Sequence, residues 1–323
     1  MSGPLDEPVS VRVQVCATSA NLGPGFDSLG LALGVFDQVE VRVGGEPGVR
    51  VTVHGEGVGE VSDGEDHLVV RALRRGLDAA GWTQPDSLEL VCRNTIPHGR
   101  GLGSSAAAVV AGLVAARALA GPGAGSGGLD DEQLLCLATE FEGHPDNAAA
   151  ALLGGLTLAW TEPAGPRAVR LEPRPDVVAV LLVPTSRLAT HHARSVLPTS
   201  VAHADAAANS ARAALLVHAM TQDPDLLLPA TEDRLHQRQR AAAMPQTIEV
   251  VEELRARGLA AVVSGAGPSV LVLGVGDAEA LRTRCAATAA AHWRALAPAL
   301  VAHGATVVAV GDEAVAGPSD RLA

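Results

Sequence analysis

The 323-residue chain has no lysine and no tyrosine, and only 2 % of it is aromatic. Without lysine, a Walker-type phosphate loop is excluded, because that motif places a Lys directly before its Ser or Thr. So few aromatics leave no stacking platform for single-stranded nucleic acid. Net charge is -12 and no basic stripe runs through the sequence, which argues against nucleic-acid partners of any kind. The four cysteines, Cys16, Cys92, Cys136 and Cys285, are far apart and form no CxxC pair. They read as small apolar residues in a reducing compartment rather than as a zinc site or disulfide frame. The longest apolar run, Ala106–Ala120, is broken by Gly112 and Arg117 and is too short for a bilayer. The first residues lack a basic stretch followed by an apolar one, so no secretory leader is expected. These absences together predict a soluble, cytoplasmic protein with no membrane partner.

What is present suits a globular fold. Apolar residues make up 47 % and charged residues 19 %, so the core must be built from Ala, Val and Leu. The length suits two domains better than one. Residues 11–17 alternate as a strand, followed by a Gly/Pro/Asn-rich loop through about Gly30. Residues 35–43 and 49–53 predict a hairpin across Gly44–Gly48. A helix is expected over Asp66–Ala80, a strand over Leu88–Asn94, and a helix from the Ser pair at 104–105 to about Leu119. Residues 121–129 predict a flexible loop. A helix over Asp130–Glu142 and a strand over Leu156–Trp160 follow. The stretch 161–167 is the candidate domain boundary, giving units 1–165 and 166–323. Beyond it we expect a strand over Val177–Val183, helices between 191 and 257, and strands over Ala260–Ser264 and Val270–Val275. A helix over Asp277–Ala302, a strand over residues 306–310 and a ragged end from Gly311 complete the pattern. Strands and helices without regular alternation indicate an α+β fold.

The segment Pro97-His98-Gly99-Arg100-Gly101-Leu102-Gly103-Ser104-Ser105-Ala106-Ala107 is the chemical centre of the sequence. Glycines at alternate positions allow close backbone approach and positive φ. The Ser pair then opens a helix, where free amides and the positive dipole end favour phosphate. A Ser hydroxyl there can also reach Mg²⁺ held between phosphates. A plain Gly-rich turn with a Ser cap is the bland alternative.

This segment resembles the ATP-phosphate motif of the GHMP kinases. Three further segments carry the resemblance: VCATSANLGPGFDSLGLAL at 15–33, EGHPDNAAAALLGGL at 142–156 and VVSGAGPSVLVL at 262–273. The first two are similar to the homoserine kinase branch of that superfamily. The resemblance implies a ribosomal-S5-like N-terminal domain, a ferredoxin-like C-terminal domain, and ATP meeting its acceptor between them. It implies ATP and Mg²⁺ as cofactors, a homodimer, and phosphorylation of the L-homoserine hydroxyl to O-phospho-L-homoserine in threonine biosynthesis. Substrate positions implied are Asn21, Asp27, His144, Asp146, Asn147, Thr190, Arg194 and Arg240, with Arg238 competing for the last. Asp27 suits the substrate ammonium, and the guanidinium groups suit its carboxylate. Each also has a plainer role open to it: Asn21 and Asp27 as turn formers, Asn147 as a helix cap, the arginines as a solvated face.

For the transfer itself, Asn147 is expected to orient the hydroxyl, with Asp146 as an alternative base and Arg194 as the side-chain cation. Ser105 and one acid are expected to hold Mg²⁺. Glu140 is favoured over Glu142 for that acid from the family spacing. Segment 264–269 is expected to shape the site and do no chemistry. Two other functions remain open at this stage: a kinase for mevalonate or a related isoprenoid precursor, and a catalytically silent sensor of the same fold.

Overall fold

In the computed structural model, which describes residues 9–121, 128–289 and 292–308, two sheets divide the chain. The first strand, β1 (Val9–Asn21), turns Val11, Val13 and Val15 inward at the period of two that a half-buried strand requires. It pairs antiparallel with the long β2 (Gly25–Val43), and the register shifts at Cys16/Ala17 and Ala20/Asn21. Such shifts bend a ribbon. The predicted loop at 18–30 is therefore mostly strand, reduced to a turn at Leu22–Pro24. Positive φ at Asn21, Leu22 and Asp27 (69°, 51° and 54°) supplies the bends that the sequence signals as loop.

The expected hairpin after β2 does not form. β3 (Gly48–Gly55) lies at the sheet edge, parallel to β4 (Ser87–Asn94), and β4 inserts antiparallel against β2. Between them runs the amphipathic α1 (Leu68–Ala79), which packs on α2 (Ser104–Ala120). α2 is apolar on all sides because it is buried on all sides from Ala106 to Ala116, Ala108 alone being partly exposed. Next come α3 (Asp131–Glu142), capped by Asp130 and Gln133 reciprocally, and α4 (Asp146–Leu153).

β5 (Leu156–Glu162) and β6 (Gly165–Leu171) form a hairpin that joins the first sheet through β2. The stretch 161–167 is the tip of this hairpin, with its turn at residues 163–164, so the change of sheet comes later, between Leu171 and Val177. β7 (Val177–Pro184) opens a four-stranded antiparallel sheet. Helices α5 (Thr190–Ser195), α6 (His203–Thr221), α7 (Leu227–Ala230) and α8 (Pro245–Ala256) precede β8 (Ala260–Val263) and β9 (Val270–Val275). Then α9 (Ala278–Ala286) leads to β10 (Trp293–Leu296). The order β10-β7-β9-β8 is the split βαββαβ arrangement of a ferredoxin-like domain. β7 serves two cores: Ala179 and Leu181 face the large cluster, while Val180 and Leu182 pack with Ile248, Leu254 and Leu281.

The helix expected over Asp277–Ala302 ends at Ala286. Pro298 cannot continue a helix, and the edge of β7 recruits Trp293–Leu296 as a strand. The chain then returns to the first sheet, where β11 (Thr306–Val308) pairs with β1. The flexible loop expected at 121–129 falls largely on residues 122–127, outside the described residues, as do 309–310 of the last predicted strand and the end from Gly311.

Candidate active site

The phosphate loop sits at the junction of the two sheets. Gly99, Gly101 and Gly103 all have positive φ (65°, 71° and 69°), which other residues reach only with strain. The segment 264–269, hereafter the third motif, presses against the loop: Ser264 Oγ donates to Gly101 O at 2.7 Å, and Ser269 N donates to Arg100 O at 3.4 Å. A Cβ on Gly101 would collide with Ser264 O. Arg100 bolts the loop to the end of β7 by donating to Pro184 O (2.9 Å) and Thr185 O (3.0 Å), so its side chain serves the loop's position. Pro97, Leu102, Ala106 and Ala107 are buried and pack. His98 lines a neighbouring cavity. Gly103, in the left-handed region, starts α2 without a side-chain cap, and the first intrahelical bond comes from Ala107 N to Gly103 O. The amides of residues 104–106 are thus left for a ligand at the positive end of a 17-residue helix.

A cavity of about 180 Å³ opens beside these amides. Its walls bring together Ser104, Ser105 and Glu142 with Asn21, His144, Asp146, Asn147, Thr190, Arg194 and Arg240. Asp27 adjoins it: its carboxylate, the His144 ring and the Asp146 carboxylate offer ligand atoms within 4.8 Å of one another. Asp27 pairs with Arg194 through both guanidinium Nη atoms. The strained Asp27 backbone is held because its N–H donates to Asn21 Oδ1 at 3.0 Å, while Asn21 Nδ2 donates to Gly265 O at 2.8 Å. One turn therefore places an anion and ties it to the third motif.

Asp146 Oδ1 accepts from the Asn147 N–H at 2.7 Å and lies 2.6 Å from His144 Nδ1. Burial alone would lower the His144 pKa, but the hydrogen bond and charge of Asp146 outweigh it and leave it above the ordinary value. Asn147 lies within the first turn of α4 and caps nothing with its side chain. Instead its Oδ1 accepts from Thr18 Oγ1 at 2.8 Å. Thr18, fully buried, escaped the sequence reading, although it stands inside the ATSAN segment; a Cβ on Gly103 would strike its hydroxyl. Arg240 is 1 % exposed, and burial together with the charge of Arg194 lowers its pKa to about 10. Its competitor Arg238 is exposed and reaches toward Glu252 at 3.7 Å, outside the cavity.

The acid expected beside Ser105 is corrected by the geometry. Ser105 Oγ donates to Glu142 Oε1 at 2.6 Å. Glu140 instead pairs with Arg75 at 2.9 Å on the outer surface. Burial raises the Glu142 pKa, opposed by the Ser105 hydrogen bond.

Family models match on both sides of the cavity: the GHMP kinases N-terminal domain over residues 67–155 and the GHMP kinases C-terminal domain over 208–291. The chain belongs to the GHMP kinase family. This GHMP kinase is 54 % identical over 308 residues to a homoserine kinase of Streptomyces avermitilis, covering 95 % of this chain and 99 % of the relative. It is 50 % identical over 316 residues to a homoserine kinase of Leifsonia xyli, covering 97 % of each. A crystal structure of homoserine kinase from Cytophaga hutchinsonii superposes with a TM-score of 0.80 at 26 % identity, covering 95 % of this chain and all of that one. The two-domain α+β architecture of this GHMP kinase is thus that of the homoserine kinases. No helix among its described residues is long and apolar enough to cross a membrane.

Proposed function

We propose that this GHMP kinase transfers the γ-phosphoryl group of ATP to the hydroxyl of L-homoserine, yielding O-phospho-L-homoserine. One observation carries the reading: a single small cavity is lined both by the start of α2, with its free amides, and by Arg194 and Arg240, and Asp27 pairs with Arg194 beside it. L-homoserine bears an ammonium, a carboxylate and a primary hydroxyl. Asp27 matches the first, Arg194 and Arg240 the second, and Asn147, buttressed by Thr18, stands where it can orient the third. Mevalonate has no ammonium, so the acid beside the cavity favours an amino-acid acceptor. The identity to named homoserine kinases over nearly the whole chain supports the same choice.

The triphosphate would lie over Ser104 and Ser105. Its nucleoside would extend into the adjoining cavity of about 380 Å³, lined by Val39, Val61, His67, Asn94 and His98 and shared with the same two serines. The Ser105 hydroxyl and Glu142 carboxylate are hard oxygen donors that fit Mg²⁺. When bound, the ion would neutralise charge on the phosphates. The chain's own part is positioning: loop amides grip the phosphates, the ion-pair end fixes the amino acid, and Asn147 aims the hydroxyl. A homodimer, the cytoplasm as location and a domain division near the 171–177 connection belong to the same proposal.

The test is a coupled ADP-release assay with L-homoserine, mevalonate or no acceptor. Turnover with L-homoserine and not with mevalonate is expected. Turnover with mevalonate alone would overturn the assignment, and ATP binding without turnover on any acceptor would point to a sensor.

A further inference from the structure

Arg240 is a buried cation with no carboxylate within ion-pair distance among the described residues, although Asp27, Asp233 and Asp146 stand near enough to favour its charge. Its Nε donates to Ala193 O at 3.0 Å, and its Nη1 reaches His236 Nδ1 at 3.0 Å and Gly265 O at 3.4 Å. None of these bonds uses Nη2, which leaves that end of the fork to the cavity Arg240 lines. Burying a cation this way is costly unless an anion arrives.

His236 is fully buried and belongs to neither the phosphate grip nor the cavity wall. Its neighbours dictate its tautomer. Nε2 lies 2.8 Å from Gly23 O, a carbonyl that can only accept, so Nε2 carries the proton. Nδ1 is then an acceptor and takes the Arg240 Nη1 hydrogen. The ring stands 5.1 Å from Phe26, and Phe26 in turn lies beneath both Arg194 and Arg240, at 5.5 and 5.6 Å. Asp233 lies 3.7 Å from Nε2, with its second carboxylate oxygen occupied by the amides of His236 and Gln237. The chain has thus placed an uncharged acceptor against Arg240 where a carboxylate would have cancelled its charge.

We propose that His236 is a positioning residue for substrate recognition. As a neutral imidazole it holds the Arg240 guanidinium in place by accepting one hydrogen bond, leaving the positive charge for the substrate carboxylate. The proposal rests on the homoserine kinase reading above.

Steady-state kinetics of His236→Leu, His236→Asn and His236→Gln test it, with thermal unfolding measured alongside. His236→Leu removes the acceptor, and the KM for L-homoserine should rise about tenfold or more, with KM for ATP and kcat within about twofold of wild type. Asn can set its Oδ1 near the place of Nδ1 and should recover most of the loss. Gln sets its polar end near Nε2 and should not. An unchanged L-homoserine KM in His236→Leu overturns the proposal. So does a parallel rise in both KM values with Asn no better than Leu, which is what a purely structural role gives. If His236→Leu does not fold, Asn against Gln decides: equal L-homoserine KM values for the two overturn the idea. Absence of L-homoserine turnover in the wild-type enzyme is the separate failure of the functional reading, and this inference would fall with it.

Discussion

Asp27 and Arg194 close on each other across the cleft, one from the long second strand of the first sheet and the other from the short helix that follows the first strand of the second. Both side chains are about one-third exposed, at 33 % and 34 %, so the pair is open to exchange with a ligand. An amino-acid zwitterion carries the same two charges. It can give its ammonium to Asp27 and its carboxylate to Arg194, replacing one ion pair by two.

Replacing Asp27 with Asn should therefore raise the KM for L-homoserine about 10- to 100-fold, the range of a lost charged hydrogen bond. The KM for ATP should hardly move. Initial-rate kinetics with each substrate varied in turn check this, and a change confined to ATP would count against Asp27 as the ammonium site.

Glu142→Gln and Glu140→Gln should differ sharply. The first removes the carboxylate beside Ser105 and should raise the Mg²⁺ concentration needed for half-maximal rate by tenfold or more, about the change a lost charged contact gives. The second removes an exposed pair with Arg75 and should leave kinetics unchanged, since such pairs contribute about 0–1 kcal/mol even to stability. The pH dependence has a definite sign. Burial raises the Glu142 pKa, and only the ionised form attracts the cation. Apparent Mg²⁺ affinity should fall as pH drops through that raised value, at a higher pH than an exposed Glu would give. Magnesium titrations at several pH values measure it.

Asp37 predicts a stability effect. Burial pushes its pKa to about 6, against the hydrogen bonds it accepts from the Ile96 and Thr95 amides at 2.9 and 2.6 Å. The folded state thus binds this proton more tightly than the unfolded chain. The stability it contributes is complete below the unfolded value near 3.8 and is lost as pH rises through about 6. Asp37→Asn keeps the acceptor and removes the titration. It should be more stable than wild type at pH 7 by about 1–3 kcal/mol, a gain that disappears near pH 4. Urea unfolding at the two pH values decides the point.

Thr18→Val keeps the shape of a buried residue and deletes the donor to Asn147. If Asn147 orients the acceptor hydroxyl, kcat should drop about tenfold while both KM values hold. Single-turnover rates provide the comparison. A wild-type rate in Thr18→Val would remove Asn147's buttress from the account.

Much of this was readable before the structure, because the phosphate loop, ATSANLGPGFD and GHPDN are contiguous segments whose chemistry travels with them. What escaped was long-range. β3 and β4 alternate equally well, and nothing in Val49–Val53 says that its partner lies some forty residues later and runs parallel. The Ala-rich stretch from Asp277 to Ala297 has helical propensity, yet a free strand edge on β7 overrides it at Trp293–Leu296. Glu140 and Glu142 are two positions apart on a helix and so point to different sides. Only the packing of α3 shows which side meets Ser105. Thr18 meets Asn147 across 129 residues and the His236 ring meets Gly23 across 213, relations that no local pattern carries.

The return of β11 to β1 makes the second sheet and its helices an insertion within the first domain rather than an appendage to it. Two chain crossings join the halves, and they lie together: Leu171 pairs with Leu156, and the neighbouring Gly155 N–H donates to Val301 O at 2.8 Å. Each crossing is thus tied to the first sheet by backbone hydrogen bonds, and the two halves share one apolar core through residues such as Ala179 and Leu181. The return of β11 also means that cutting the chain after residue 297 would strip a strand from the amino-terminal half, so neither half is to be had by simple truncation.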